Sequence, residues 1–211
     1  MSGLQGDRDP TRERAVDAAL AILEERGPNA LSLGETASRM GISVAALQRT
    51  VPTYEDLLEA IAERWFRRKV RIMEEVVASD LPPRRKMYEF FARRFAILRD
   101  SYRADPVLFQ MHCDLGNQHF EQVRSYVDLG DHYLCEIIAE AMDEGHFPGL
   151  SIDEALSLIN QMVAAYVNIA LMMLIMDKLC EKKLATIVDT IFDGLSGQAR
   201  GADGVSGLRA A

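Results

Sequence analysis

Prolines at positions 10, 28, 52, 82, 83, 106 and 148 divide this 211-residue chain, and the stretches between them are the main constraint on its fold. Proline lacks the N–H that a helix interior or a central strand needs, so each one marks a place where a helix starts or has just ended. Between the prolines, apolar residues recur at spacings of three and four. No stretch alternates apolar and polar residues long enough to make a strand. The pattern predicts an all-α chain of about nine helices.

Local signals place the helix ends. Asp9-Pro10 opens a helix carrying Ala15, Ala18, Ala19, Ile22 and Leu23, and Gly27-Pro28 closes it. Ser32-Leu33-Gly34-Glu35 has the spacing of a capping box, and the short helix it opens ends near Gly41. Ser43 can cap a third helix, bounded by Pro52. Thr53-Tyr54-Glu55-Asp56 caps a long helix with Leu58, Ile61, Ala62, Trp65, Ile72, Met73 and Val76 on one face. Helices are then predicted over 84–102, with Met87, Tyr88, Phe91, Phe95 and Leu98 inward, over 106–113, and over 117–144 with a disturbance at Gly130. Ser151-Ile152-Asp153-Glu154 is a further capping box, opening an apolar helix to about Asp177. The last helix covers 181–192. The glycine-rich segment 194–211 and residues 1–9 are expected to be flexible.

Charge narrows the partners. The net charge is −8 but unevenly spread: −1 over residues 1–52, +3 over 53–103 and −10 over 104–211. The acidity is mostly C-terminal, which leaves a nucleic-acid surface in the N-terminal half open without establishing one. Three cysteines exclude a disulfide scaffold and point to a reducing compartment, and no apolar leader stands at the N-terminus, so a cytoplasmic protein is expected.

Ala155–Met176 is 22 residues without a charge, long enough to cross a bilayer. Ser157, Asn160, Gln161 and Asn168 interrupt it, and a lone membrane helix would bury them at a cost. Burial by the chain's own core and by a second subunit accounts for the composition better, so a homodimer and no membrane are expected.

The segment 32–51 carries the functional signal. Two short helices, about 33–40 and 44–50, flank the turn Met40-Gly41-Ile42-Ser43, the spacing of a helix-turn-helix. Ile42 and Leu47 would anchor the second helix, leaving Val44, Ala45, Gln48 and Arg49 outward. An ordinary helical hairpin has the same spacing.

Other residues sharpen the choice. Arg12-Glu13-Arg14, Ala18-Ala19, Glu25-Arg26-Gly27, Leu31-Ser32-Leu33, Glu35-Thr36-Ala37, Met40-Gly41-Ile42-Ser43, Leu47 and Pro52-Thr53-Tyr54-Glu55-Asp56-Leu57-Leu58 stand in an order that resembles the N-terminal domain of TetR/AcrR-type transcriptional regulators. The resemblance covers about a quarter of the chain. It implies a helix-turn-helix DNA-binding domain over 10–52, a helical effector-binding and dimerisation domain over 53–193, and a homodimer, probing a pseudo-palindromic duplex and answering to a small, mostly apolar effector. It also implies DNA contacts from Ser32, Leu33, Ser43, Val44, Ala45, Gln48, Arg49, Thr50 and Tyr54, and no cofactor. Members of the family commonly have tyrosine at Gln48, histidine at Thr50, phenylalanine at Val51 and lysine at Tyr54, and three of these touch phosphates. Gln48 can still read adenine and Arg49 guanine. The departures motivate a second reading, a co-regulator whose head has lost DNA binding and which acts through a protein partner. Arg64, Arg67, Arg68, Lys69 and Arg71 read as a solvated or interdomain face rather than a DNA surface.

Catalytic and metal signals are weak. Asp128, His132 and Glu136 recur every four residues and could hold a divalent ion, but such triplets also arise from favourable pairs on a solvated helix. In His112-Cys113-Asp114 adjacent helical residues point apart. GxSxG, P-loop and GxGxxG motifs are absent, so no enzyme is expected. For an effector, Phe91, Phe95, Met111, His112, Gln161 and Asn168 are the candidates. Gln161, Ala165, Asn168 and Met172 would share one face of the apolar helix, lining either a ligand or a dimer contact.

Overall fold

The computed structural model describes residues 9–197. The segments 1–8 and 198–211, where flexibility is expected, lie outside the described residues. The described residues form eleven α-helices, two single 3-10 turns and no strand, so the all-α expectation holds and the helix count is slightly exceeded.

The helices are α1 (Pro10–Arg26), α2 (Leu33–Met40), α3 (Val44–Leu47), α4 (Tyr54–Val77), α5 (Pro83–Ala104), α6 (Pro106–Gln118) and α7 (Phe120–Asp143). They continue as α8 (Ile152–Met162), α9 (Ala164–Val167), α10 (Ile169–Leu174) and α11 (Glu181–Leu195). The chain makes two compact units. One contains residues up to Val70 together with Asp100–Asp128, and the other contains Arg71–Arg99 and the chain from Leu129 onward.

In the first unit, Ala15, Val16, Ala19 and Leu23 of α1 pack with Ala37, Leu47, Val51, Leu57, Leu58 and Ile61, all under 5% exposed, and Leu115 of α6 joins them. Ala37 has no exposed surface, consistent with a small residue chosen for close helix contact. The second unit buries Met87, Phe90, Phe91 and Phe95 of α5, Leu134, Ile137 and Ile138 of α7, and Leu184, Val188 and Phe192 of α11. Phe90, which the periodicity missed, is fully buried, whereas Tyr88 and Leu98 are half-buried.

Several predicted boundaries shift. The capping box at Ser32 is one-sided: Ser32 Oγ accepts the Glu35 N–H at 3.1 Å, but the Glu35 carboxylate pairs with Arg26 at 2.6 Å instead of reaching back. The box at Ser151 is complete, with Glu154 N–H donating to Ser151 Oγ and Ser151 N–H to Glu154 Oε2. Helix α6 runs on to Gln118. Helix α7 starts only at Phe120 and passes through Gly130 unbroken.

The largest correction concerns the apolar stretch. The single helix expected over 152–177 breaks at Val163 and again at Asn168, giving α8, α9 and α10. Asn168 takes an extended conformation and its Oδ1 accepts the Leu171 N–H at 3.0 Å, so its side chain supplies the acceptor that a continuous helix would have found in the backbone. Tyr166 Oη donates to the Cys180 carbonyl at 3.1 Å, holding α9 against the segment before α11. No described helix is long and apolar enough to cross a membrane.

Candidate nucleic-acid interface

The turn between α2 and α3 is built from backbone chemistry. Gly41 sits in the left-handed region at φ 69°, where a side chain would be strained. Its N–H donates to the Ser38 carbonyl at 3.1 Å, and the Ile42 N–H reaches back to the Ala37 carbonyl at 3.1 Å. That pair of bonds is a Schellman motif, which closes α2 and fixes the direction of the chain as it leaves. Ser43 Oγ then accepts the Ala46 N–H at 3.1 Å and opens α3. Leu47, fully buried, ties α3 to the core.

With Leu47 inward, Val44, Ala45, Gln48 and Arg49 are exposed, as the spacing predicts, and so is the cap residue Ser43. Regular α-helix stops at Leu47, earlier than expected, and residues 48–50 continue as turns that hold Val51 in the core. Gln48 Nε2 donates to the Pro52 carbonyl at 3.3 Å, so reading a base requires it to give up that bond. Ser32 is exposed with its hydroxyl engaged as the α2 cap, Leu33 is half-buried against the core, and Thr50 is half-buried.

Tyr54 begins α4 and packs half-buried on the core cluster, its ring edge-on to His119 at 6.0 Å. Burial and the neighbouring Glu55 raise its phenol pKa. Thr53 Oγ1 accepts the Asp56 N–H at 3.1 Å and the Asp56 carboxylate accepts the Thr53 N–H at 2.9 Å, so a carboxylate already occupies the start of α4.

Most arginines of this unit are neutralised by its own acids. Arg64 pairs with Glu13 and, at 3.0 Å, with Asp17; Arg67 reaches Glu13 at 2.9 Å; Arg12 pairs with Glu63. This seam joins α1 to α4. Burial pushes the Glu13 carboxyl up, but Arg67 and Arg64 more than reverse it and hold it below the ordinary value. The same balance, set by Arg12 and Arg67, lowers Glu63. Arg26 pairs with Glu35, and Arg39 with Glu25 through both guanidinium nitrogens. Arg49 has no hydrogen bond or ion pair among the described residues.

The effector candidates fall in both units. In the second, Phe91 and Phe95 are buried, Phe95 meeting Tyr166 edge-on at 5.0 Å. Gln161 is exposed, bonded to Ser157 at 3.3 Å, and Asn168 is exposed as the α10 cap. Because the helix breaks between them, Gln161, Ala165, Asn168 and Met172 do not share one helical face. In the first unit, Met111 packs half-buried on the core. The His112 ring lies 4.4 Å from Trp65, and its Nε2 is buried without a hydrogen-bond partner. Burial lowers the His112 pKa, against the pull of Asp105. Burial also pushes the Cys113 thiol up to about 11, which leaves it protonated and unreactive near neutral pH.

His132 pairs with Glu136 at 3.1 Å and Arg124 approaches Asp128 at 3.9 Å; no group of three metal-ligating side chains occurs among the described residues. Arg94, which the sequence did not single out, lies half-buried in the second unit with its guanidinium 4.7 Å above the Phe90 ring.

The tetracyclin repressor-like C-terminal domain family matches residues 83–188. The chain is 27% identical over 162 residues to an HTH-type transcriptional regulator in the dhlA 5' region of Xanthobacter autotrophicus, covering 74% of this chain and 75% of that one. It is 24% identical over 139 residues to the HTH-type transcriptional repressor LfrR of Mycolicibacterium smegmatis, covering 66% and 69%. The fold is shared with SmeT in its triclosan complex at a TM-score of 0.64 and 16% identity, over 88% of this chain and 91% of that one.

Proposed function

Because the chain belongs to the TetR family of transcriptional regulators, we propose that it is a homodimeric repressor that holds a pseudo-palindromic duplex through α2 and α3 and releases it when a small, mostly apolar effector binds. The observation that carries this reading is the treatment of the head's arginines. The unit ties Arg12, Arg26, Arg39, Arg64 and Arg67 to its own carboxylates; Arg49, on the exposed edge beyond α3, has no such pair, and neither has Arg68 on α4, which stands away from the helix-turn-helix in sequence. A guanidinium kept free beside a helix-turn-helix is available to a guanine or a phosphate.

The dimer has separate support. Leu158 and Met162 of α8 and Leu171 and Leu174 of α10 are exposed apolar side chains, with Leu174 at 82%. A second copy covering them removes that surface from water. For the effector, His112 Nε2 gives a buried polar atom in need of a partner beside an aromatic wall, and SmeT, of like fold, holds triclosan.

The test is selection of bound fragments from random duplexes by the purified protein, followed by release with candidate compounds. Enrichment of two inverted half-sites about one helical turn apart, lost in Arg49→Ala, is expected. No enrichment of any duplex would move the reading to a co-regulator acting through a protein.

A further inference from the structure

Helix α3 offers an outside partner little polar chemistry. Ser43 commits its hydroxyl to the Ala46 N–H at 3.1 Å, and Gln48 gives its amide to the Pro52 carbonyl at 3.3 Å. Thr50 stands beside the Asp9 carboxylate that caps α1; the Thr11 N–H first, and the Thr50 hydroxyl after it, hold that carboxyl below its ordinary value. Leu47 is fully buried and Ala46 half-buried. The exposed side chains that remain on this four-residue helix are Val44, at 40% exposure, and Ala45. Both are apolar, and both end in methyl groups.

A single exposed valine is ordinary on a protein surface, and it is the place of this one that distinguishes it. The turn at Gly41 and the Ser43 cap fix the direction in which α3 leaves α2, and Leu47 pins its opposite face. Val44 and Ala45 are thereby held at the start of the second helix of the motif. In helix-turn-helix proteins that end of the second helix meets base edges in the major groove. The apolar feature that distinguishes one base pair from another there is the C5 methyl group of thymine. A guanine, adenine or cytosine edge set against valine and alanine loses water from its donors or acceptors with no bond in return. Thymine instead buries a methyl group on a methyl group. Four residues on from Ala45, about 6 Å at a helical rise and so about two base-pair steps, Arg49 supplies a cation with no ion pair among the described residues.

We propose that Val44 and Ala45 read thymine through its C5 methyl group, so that each half-site carries a thymine within about three base pairs of the Arg49 contact. This rests on the DNA-binding reading above and names the base, and the group on it, that the start of α3 selects.

The test uses the full chain and the duplex enriched from the random pool. Each thymine of the half-site is replaced in turn by deoxyuridine, in both half-sites together, which removes the methyl group and leaves every hydrogen-bonding atom in place. Affinity is read by fluorescence anisotropy on the wild type, Val44→Ser, Val44→Thr and Ala45→Ser. Both residues are exposed, so the melting temperatures of the free variants should stay close to that of the wild type. At one thymine position or more, deoxyuridine should weaken wild-type binding by about fourfold per methyl group lost, the worth of one such group taken out of water. That loss should shrink in Val44→Ser, in Ala45→Ser or in both, because the methyl group has lost its partner, whereas a residue that only supports the fold would weaken both duplexes alike. Val44→Thr, which keeps one of the two methyl groups, should retain part of the discrimination. A half-site without thymine, or one whose thymines are all indifferent to deoxyuridine, overturns the methyl reading and keeps DNA binding. A loss that is unchanged in every variant assigns the methyl group to another residue and overturns the proposal. No duplex enriched from the pool overturns the DNA-binding reading itself, and the proposal with it.

Discussion

The arginines of the α1–α4 seam and the arginines at positions 49 and 94 obey the same chemistry to opposite ends. Arg12, Arg64 and Arg67 are half-buried and shared among Glu13, Asp17 and Glu63, so their charge is spent on joining two helices. Arg49 is exposed without a partner, and Arg94 is half-buried on Phe90 without one. A cation neutralised inside the chain has little left for an outside ligand, whereas one left unpaired has its full donor capacity. A positive residue count therefore says little about where this protein meets an anion. The second unit has its own paired case. Lys86, 5% exposed, donates to both Glu140 oxygens at 2.9 and 2.7 Å and to the Val77 carbonyl at 2.9 Å, tying the end of α4 to α7.

The sharpest way to break the comparison is to turn a paired cation into an unpaired one. Glu140→Ala leaves the Lys86 ammonium buried with only a carbonyl. It should cost about 1–3 kcal/mol in urea unfolding, since the ammonium is buried although the Glu140 carboxylate is partly exposed, and its charge loses its partner. Glu140→Leu combined with Lys86→Met should recover most of that. If Glu140→Ala loses less than about 0.5 kcal/mol, the pair is decorative and the distinction drawn here fails.

The same distinction applies to apolar side chains. Leu174 is 82% exposed, so Leu174→Glu should leave the stability of an isolated subunit within about 0.5 kcal/mol. In a dimer that covers it, the charge is desolvated, and the dimer should weaken by about a hundredfold in sedimentation. A wild type that sediments as a monomer at micromolar concentration would refute the homodimer outright.

Arg49 tests the cation kept outward in the head. Arg49→Ala should lose about 1–3 kcal/mol at one guanine position if its contact is bidentate. If it holds phosphate, the loss should be uniform across sequences and the salt slope should fall by about one unit. Arg39→Ala, which breaks only the exposed pair with Glu25, should change DNA affinity little.

The seam also predicts a pH response. Glu13 and Glu63 have folded-state pKa values below their ordinary value of 4.5, so their contribution is complete above that value and is lost as pH falls through the lowered one. Stability of the first unit should therefore drop below about pH 4.5, and Glu13→Gln should flatten that part of the curve. An unchanged acid limb would mean that the seam adds no net stability.

How much of this could be read in the sequence follows from the range of the forces involved. Caps at Asp9, Ser32, Ser43, Thr53 and Ser151 are short-range bonds with residue-specific spacing, and all are present. The helix-turn-helix was legible because Gly41 and Leu47 each meet a local demand, a left-handed turn and a buried anchor. The breaks at Val163 and Asn168 were not, because neither glycine nor proline marks them and asparagine acts there as a cap rather than a helical residue. Arg94 was invisible for a different reason. It stands beside Arg93 with no local mark, and only the positions of Glu75, Phe90 and Asp131 in the folded unit separate the two.

Tyr54→Lys is the finest test, since it asks whether a cation can be added rather than removed. Relatives of this family place lysine there, and one more phosphate contact steepens the salt dependence by about 0.9 in log–log slope. Two local features oppose the gain. The Tyr54 ring packs on the head core and against His119, so the substitution gives up part of an aromatic contact, about 0.5–1.5 kcal/mol. Asp56 also occupies the start of α4 and would draw the new ammonium toward itself. The expected outcome is a small rise in affinity at low salt, a steeper slope and a slightly lower melting temperature. Asp56→Asn in the same background should enlarge the affinity gain, because the cap's hydrogen bonds persist while its charge is gone. If neither variant changes the slope, the start of α4 does not approach phosphate, and DNA contact is confined to α2 and α3.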